Sequence, residues 1–200
     1  MGLDGKGMRD AIQTESPWTY HVMARGDYGD LVFRDEQDYT QFLSLIAEAC
    51  GRSGWRIHAY VLMPGHCHLL VETSEADAVA GMEWLQGSYA LYHNHRHHRL
   101  GRRFLDECKL VPVEGKEEIY LHGISTYIHL NPVRARLVRL GPQGLKGYRW
   151  SSYPCYVDRV GSPPAWLCTQ RVLASLGLGP SDTQRYEAYL EGRARQLGVR

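Results

Sequence analysis

Hydrophobic and polar residues alternate along the stretch Trp18 to Arg25: Trp18, Tyr20, Val22 and Ala24 stand against Thr19, His21, Met23 and Arg25, and the pattern stops at Gly26. A period of two predicts a strand. Next, Tyr39, Phe42, Leu43, Ile46 and Cys50 recur at three- and four-residue steps. That spacing predicts an amphipathic helix, with Asp35 or Asp38 to cap its start and Gly51 its end. Ile57, Ala59, Val61 and Met63 alternate against His58, Tyr60 and Leu62, and Pro64-Gly65 turns the chain into a further apolar run from His66, so the pair reads as a hairpin. A second helix is expected over Ala78 to His93, with Val79, Met82, Leu85, Tyr89 and Tyr92 on one stripe. "FLDECKLVPV" is a weak strand because Pro112 falls inside it. Tyr120, Leu121, Ile124, Tyr127 and Ile128 return to helical spacing until Asn131-Pro132, where one helix is expected to end and another to start with Asn131 as its cap.

The order βαββαβα predicts an α+β fold, a ferredoxin-like antiparallel sheet with helices on one face. Residues 1–16 read as a flexible tail, 17–156 as the domain, and 157–200, which opens on the "GSPP" composition shift, as a helical C-terminal extension that either binds DNA or covers the sheet.

At 200 residues and 44% hydrophobic, the chain is long enough to bury a real core. Five scattered cysteines without a C-x-x-C pair argue against a disulfide framework or a zinc ribbon and point to a reducing, cytoplasmic setting. No stretch is apolar enough to suggest a membrane span or a signal peptide. The net charge of +1 does not announce a nucleic-acid partner, but its distribution is uneven. Arg96, Arg99, Arg102 and Arg103 fall in one acid-free stretch with four histidines, and Arg134, Arg136, Arg139, Lys146 and Arg149 fall in another. Each patch suits phosphates, and each equally suits a solvated face.

"YVLMPGHCHLLVET" carries the candidate chemistry. On a strand His66 and His68 share one face and Cys67 points to the other, so the imidazoles can supply two ligands of one metal, which needs at least a third. Tyr127 and Asn131, one helical turn apart, could complete such a site: the phenol as a nucleophile towards phosphorus, the amide oxygen as a ligand. By its stripe alone Tyr127 reads as core packing rather than as a nucleophile, and His21 and His58 read as ordinary packing or as support for the metal ligands.

Taken together, "AYVLMPGHCHLLVET", "TYIHLNPVRARLV", "HVMARGD", "DYTQFL", "MEWLQGSYALYHNHR" and "RWSSY" make the chain, from about Tyr20 to Tyr153, similar to the REP-associated tyrosine transposases, single-tyrosine members of the HUH class. The resemblance implies His66, His68 and Asn131 as metal ligands and Tyr127 as the nucleophile. It further implies magnesium or manganese (Mg2+ or Mn2+), although imidazoles alone favour a transition metal. The implied substrate is single-stranded DNA bearing a hairpin, cut and rejoined through a 5′-phosphotyrosine without a nucleotide cofactor or a membrane. The protein is expected as a monomer or homodimer, with Arg96, Arg99, Arg102, Arg103, Lys109, Arg134 and Arg136 on the nucleic acid.

Four departures from the family pattern stand out. Gly65 replaces a usual Asn, Cys67 a bulkier aliphatic and Thr126 a common arginine, and Leu105, Asp106 and Glu107 replace the residues between Phe104 and Lys109. Glu107 in place of an arginine would repel phosphate, which favours an alternative: a non-catalytic nucleic-acid-binding module of the same fold. A zinc site using Cys67 in an unrelated hydrolase ranks last, since Cys67 points away from the histidine face.

Overall fold

The computed structural model describes residues 18–26, 30–104, 108–113, 117–140, 144–158 and 163–198. The expected tail and the altered Leu105 to Glu107 segment therefore lie outside the described residues. The strands are β1 (Trp18–Arg25), β2 (Arg56–Met63), β3 (His66–Thr73) and β4 (Lys109–Pro112), all antiparallel in the order β2-β3-β1-β4. The helices are α1 (Glu36–Ser53), α2 (Glu75–His97), α3 (Glu117–Arg134), the short α4 (Gly144–Gly147), α5 (Pro154–Val157) and α6 (Gln170–Ala174), and α7 (Thr183–Gln196).

The α+β sheet is as expected, but it has two cores rather than one. Tyr20, Val22, Ala24, Cys67, Leu69 and Val71 face α1 and α2. On the opposite face Ala59, Val61, Met63 and Leu70 pack with Leu121, Ile128, Leu130 and Val133 of α3, and Val172, Leu173, Tyr186, Leu190 and Ala194 extend this core. Helices on one face is thus corrected: α3 covers the β2–β3 half of the second face. One strand reading also changes. A bulge between Ile57 and Ala59 puts Ile57 in the first core and Ala59 in the second, because an extra residue reverses the alternation beyond it.

Other boundaries shift for local reasons. α1 is capped by the Asp35 carboxylate and runs past Gly51 to a left-handed Gly54. α2 runs from the Ser74 cap to His97, so the histidine-rich tract continues the helix. α3 does not break at Asn131-Pro132, and Asn131 is not a cap. Proline inside a helix costs about 3 kcal/mol, but the same segment buries Ile128, Leu130 and Val133, each worth roughly 1.5–3 kcal/mol, so the helix persists to Arg134.

Beyond α3 the chain closes the edge of the sheet. The backbone of β2 bonds to Trp150, Ser152 and Cys168, which pairs an otherwise open edge strand. Inside this seam His129 of α3 is fully buried, with Nδ1 2.9 Å from the Tyr186 hydroxyl and Nε2 2.8 Å from Ser152 Oγ. The extension therefore covers sheet and helix, and it holds α3 in place. Among the described residues the cysteines form no disulfide. No helix among the described residues is long and apolar enough to cross a membrane.

Candidate active site

The hairpin strand β3 and helix α3 bring the candidate residues together. His66 and His68 lie on the α3 side of the sheet, and Cys67 between them is buried in the opposite core, where burial pushes its thiol up to about 12. The His68 ring stands edge-on to Tyr127 with centroids 5.4 Å apart, and edge-on to His66 at 5.1 Å. Asn131, one turn beyond Tyr127, brings its side chain to His66, and its Nδ2 donates to the Tyr127 carbonyl at 3.4 Å. Tyr127 is not core: it keeps 36% of its surface exposed, whereas Leu121 and Ile128 on the same helix are buried.

Three further residues join the site across the sheet. His21 sits beside His68, its Nε2 3.0 Å from His68 Nδ1, with the rings stacked at 5.1 Å and an edge contact to Tyr127 at 5.8 Å. Arg25 pairs with His66 in the β1–β3 register, and Lys109 with Met23 in the β1–β4 register. Paired residues of antiparallel strands share a face, so His21, Met23, Arg25 and Lys109 all lie on the histidine face, outside the half that α3 covers. Arg134, the last residue of α3, holds its guanidinium 5.2 Å from the Tyr127 ring centre. The sequence allows His21 either ordinary packing or support for the metal ligands, and it does not single out Arg25 as functional. Both occupy the alternate positions of the strand Trp18–Arg25, but only the pairing of β1 with β3 reveals what they face.

This environment keeps the imidazoles neutral. Burial, then the charges of His21 and His66, lowers His68 to about 3, while burial and then Lys109 lower His21 to about 4. Burial also lowers His66, Asn131 opposes that shift, and Arg25 adds to it. Neutral imidazole is the form that ligates metal.

The expected phosphate-binding arginines divide. Arg134 and Arg136 are exposed, as is Lys109. Arg96 is instead engaged within the protein by Asp35 at 2.7 Å, Asp38 at 2.8 Å and Gln37 at 3.1 Å, so its charge serves the α1–α2 contact. Arg103 is buried, donates to the Leu100 carbonyl and lies 3.7 Å from Asp30, which Arg99 also approaches. Arg102 is exposed. Of the α2 aromatics that could stack on bases, Tyr89 is fully buried in the first core with its hydroxyl donating to the Val32 carbonyl, and Trp84 and Tyr92 are partly buried against that core. His58 is structural: at the β2 bulge it bridges Glu72 and the Cys168 carbonyl.

A family model described as "transposase IS200 like" matches residues 14–129, more than half of the chain. The chain belongs to the IS200-like transposase family. Among curated proteins no sequence matches it. A solved structure of a REP-associated tyrosine transposase bound to a REP hairpin superposes with a TM-score of 0.58 at 15% identity, covering 78% of this chain and 87% of that one. The transposase fold is thus shared although few residues are. Of the departures, Gly65 is not forced by packing: a Cβ there would meet the Asp30 carbonyl oxygen at an ordinary 3.6 Å.

The donor set of this transposase fits a divalent metal. His21 occupies the Nδ1 side of His68, which leaves Nε2 for a ligand, and the Asn131 amide stands beside the His66 imidazole, so that a cation could be held between them. Two nitrogens and one amide oxygen leave positions open for phosphate oxygens and water.

Proposed function

We propose that this transposase cuts and rejoins single-stranded DNA at Tyr127. The observation that carries the proposal is the convergence of an exposed phenol on β3, edge-on to His68, with Asn131 of the same helix on His66. The Tyr127 oxygen attacks phosphorus, the bond from phosphorus to the 3′ oxygen breaks, the phenol proton is given up and the leaving oxygen is protonated to a 3′ hydroxyl. The 5′ phosphate stays on Tyr127, and attack by another 3′ hydroxyl reverses the step and joins strands. The phosphodiester energy is conserved, so the chemistry needs no nucleotide cofactor. Mg2+ or Mn2+ on His66, His68 and Asn131 would polarise the scissile phosphate and offset its charge.

The chain's own residues supply the rest. Arg134 favours the phenolate and the phosphate as charge moves onto them. Lys109 and Arg25 offer positive charge on the β1–β4 half, outside the part that α3 covers, where a single strand can lie, and Arg136 is exposed just past α3. The hairpin-bound neighbour supports a hairpin-bearing DNA as the substrate class.

Incubating the protein with labelled single-stranded hairpin DNA and either metal, then running a denaturing gel, tests this reading. A covalent adduct is expected, absent in Tyr127→Phe and in His66→Ala. Binding without an adduct, across several hairpins and both metals, would instead establish the non-catalytic module.

A further inference from the structure

On the opposite side of the sheet from Tyr127, α1 and α2 bring Asp38, His93 and His97 together, with one potential ligand atom of each within 4.8 Å of the others. His93 and His97 are one turn apart on α2, their rings 4.4 Å centre to centre. The Asp38 carboxylate is fully buried on α1, and His97 Nε2 lies 2.9 and 3.0 Å from its two oxygens. His93 is also fully buried, yet neither of its ring nitrogens has a hydrogen-bond partner among the described residues. A buried imidazole left unpartnered is destabilising, and this one stands beside a carboxylate and a second imidazole.

We propose that Asp38, His93 and His97 form a second metal site, for Zn2+ or a similar transition ion, separate from the Tyr127 site. Two imidazoles at i and i+4 with a carboxylate from a neighbouring helix are a three-ligand borderline-soft set, which suits zinc rather than magnesium. Water can take the fourth position from the side of His97, which is partly exposed. A cationic group already stands at this point: Arg96 Nη1 is 2.8 Å from Asp38 Oδ1 and 3.0 Å from His97 Nε2. One nitrogen of His97 cannot both donate to Asp38 and accept from Arg96, so the apo arrangement leaves a contact unsatisfied in either tautomer. The ion takes the place of Nη1 on Asp38, and the planar guanidinium, which moves as one unit, shifts on its contacts with Gln37 and Asp35. Asp38 also accepts from the Arg34 backbone amide at 2.9 Å, which fixes the carboxylate in place. The bound ion would tie α1 to α2.

The test uses the full chain carrying His66→Ala and His68→Ala, so that the Tyr127 site cannot contribute, and measures Zn2+ by equilibrium dialysis. Retention of one equivalent is expected. It should survive His95→Ala with His98→Ala, which removes adventitious chelation by the exposed tract, and be lost in His93→Phe. Co2+ added to the same background should give the visible bands of a low-coordinate site, and Zn2+ should raise its unfolding temperature. No retained zinc and no cobalt bands, or an equivalent that survives His93→Phe or disappears with His95 and His98, would overturn the proposal. The cobalt spectrum decides even if His93→Phe fails to fold.

Discussion

His21 Nε2 lies 3.0 Å from His68 Nδ1, an imidazole pair joined across β1 and β3 that sets which nitrogen of His68 faces Tyr127. Removing this partner frees the His68 ring to rotate and to change tautomer, which typically costs 10–100-fold in metal affinity or activity at about this kind of contact. His21→Ala is therefore expected to lower adduct formation by roughly that factor and to leave hairpin binding intact. A gel-shift assay beside the adduct gel separates the two effects.

Arg134 and Arg96 should behave in opposite ways although both are arginines in basic stretches. Arg134 is exposed over the Tyr127 ring, whereas Arg96 is engaged by Asp35 and Asp38. Arg134→Ala is expected to slow cleavage and to flatten the salt dependence of DNA binding, with stability changed by less than about 0.5 kcal/mol. Arg96→Ala is expected to lower the thermal midpoint, since it uncouples α1 from α2, and to leave the salt dependence unchanged.

Gly81 is a packing requirement on α2. A Cβ there would fall 2.4 Å from Trp55 Cζ2, and Trp55 is held by its Nε1 donating to the Asp77 carbonyl at 3.1 Å. In an open helix Gly→Ala gains about 1 kcal/mol, but overpacking costs about 1–3 kcal/mol. Gly81→Ala should therefore destabilise, by up to about 2 kcal/mol as the difference of these effects, and urea unfolding will show the sign.

Acid should weaken the fold through His129. Burial lowers this imidazole from an ordinary 6.5 to about 3. Between those values the unfolded chain takes up a proton that the folded chain refuses, so stability is complete above pH 6.5 and falls as the pH drops towards 3. The loss is about 1.4 kcal/mol per pH unit for one such group. Urea midpoints measured between pH 7.5 and 5 should decline below pH 6.5, and His129→Gln should make the decline shallower.

Much of this was legible in one dimension because the signals are local. Alternation at Trp18–Arg25, the three- and four-residue steps of Tyr39 to Ile46 and the Pro64-Gly65 turn depend on neighbours a few positions away, and they fixed the strands, α1 and the hairpin. The shared face of His66 and His68 followed from the strand period, and the turn joining Tyr127 to Asn131 from the helix period.

Local pattern suffices for the four strands, α1 and α2, for the faces of β1 and β3, and for the residues able to carry the chemistry. What those faces meet is set by the packing of distant segments. The bulge at His58 reverses the face of Ile57, the burial of Ile128, Leu130 and Val133 carries α3 through Pro132, and strand pairing places His21 on His68. The same pairing of distant segments commits Arg96 to Asp35 and Asp38 and leaves Arg134 beside Tyr127. Periodicity says which way a side chain points, whereas its partners, and hence its charge and its chemistry, come from chain segments far away in sequence.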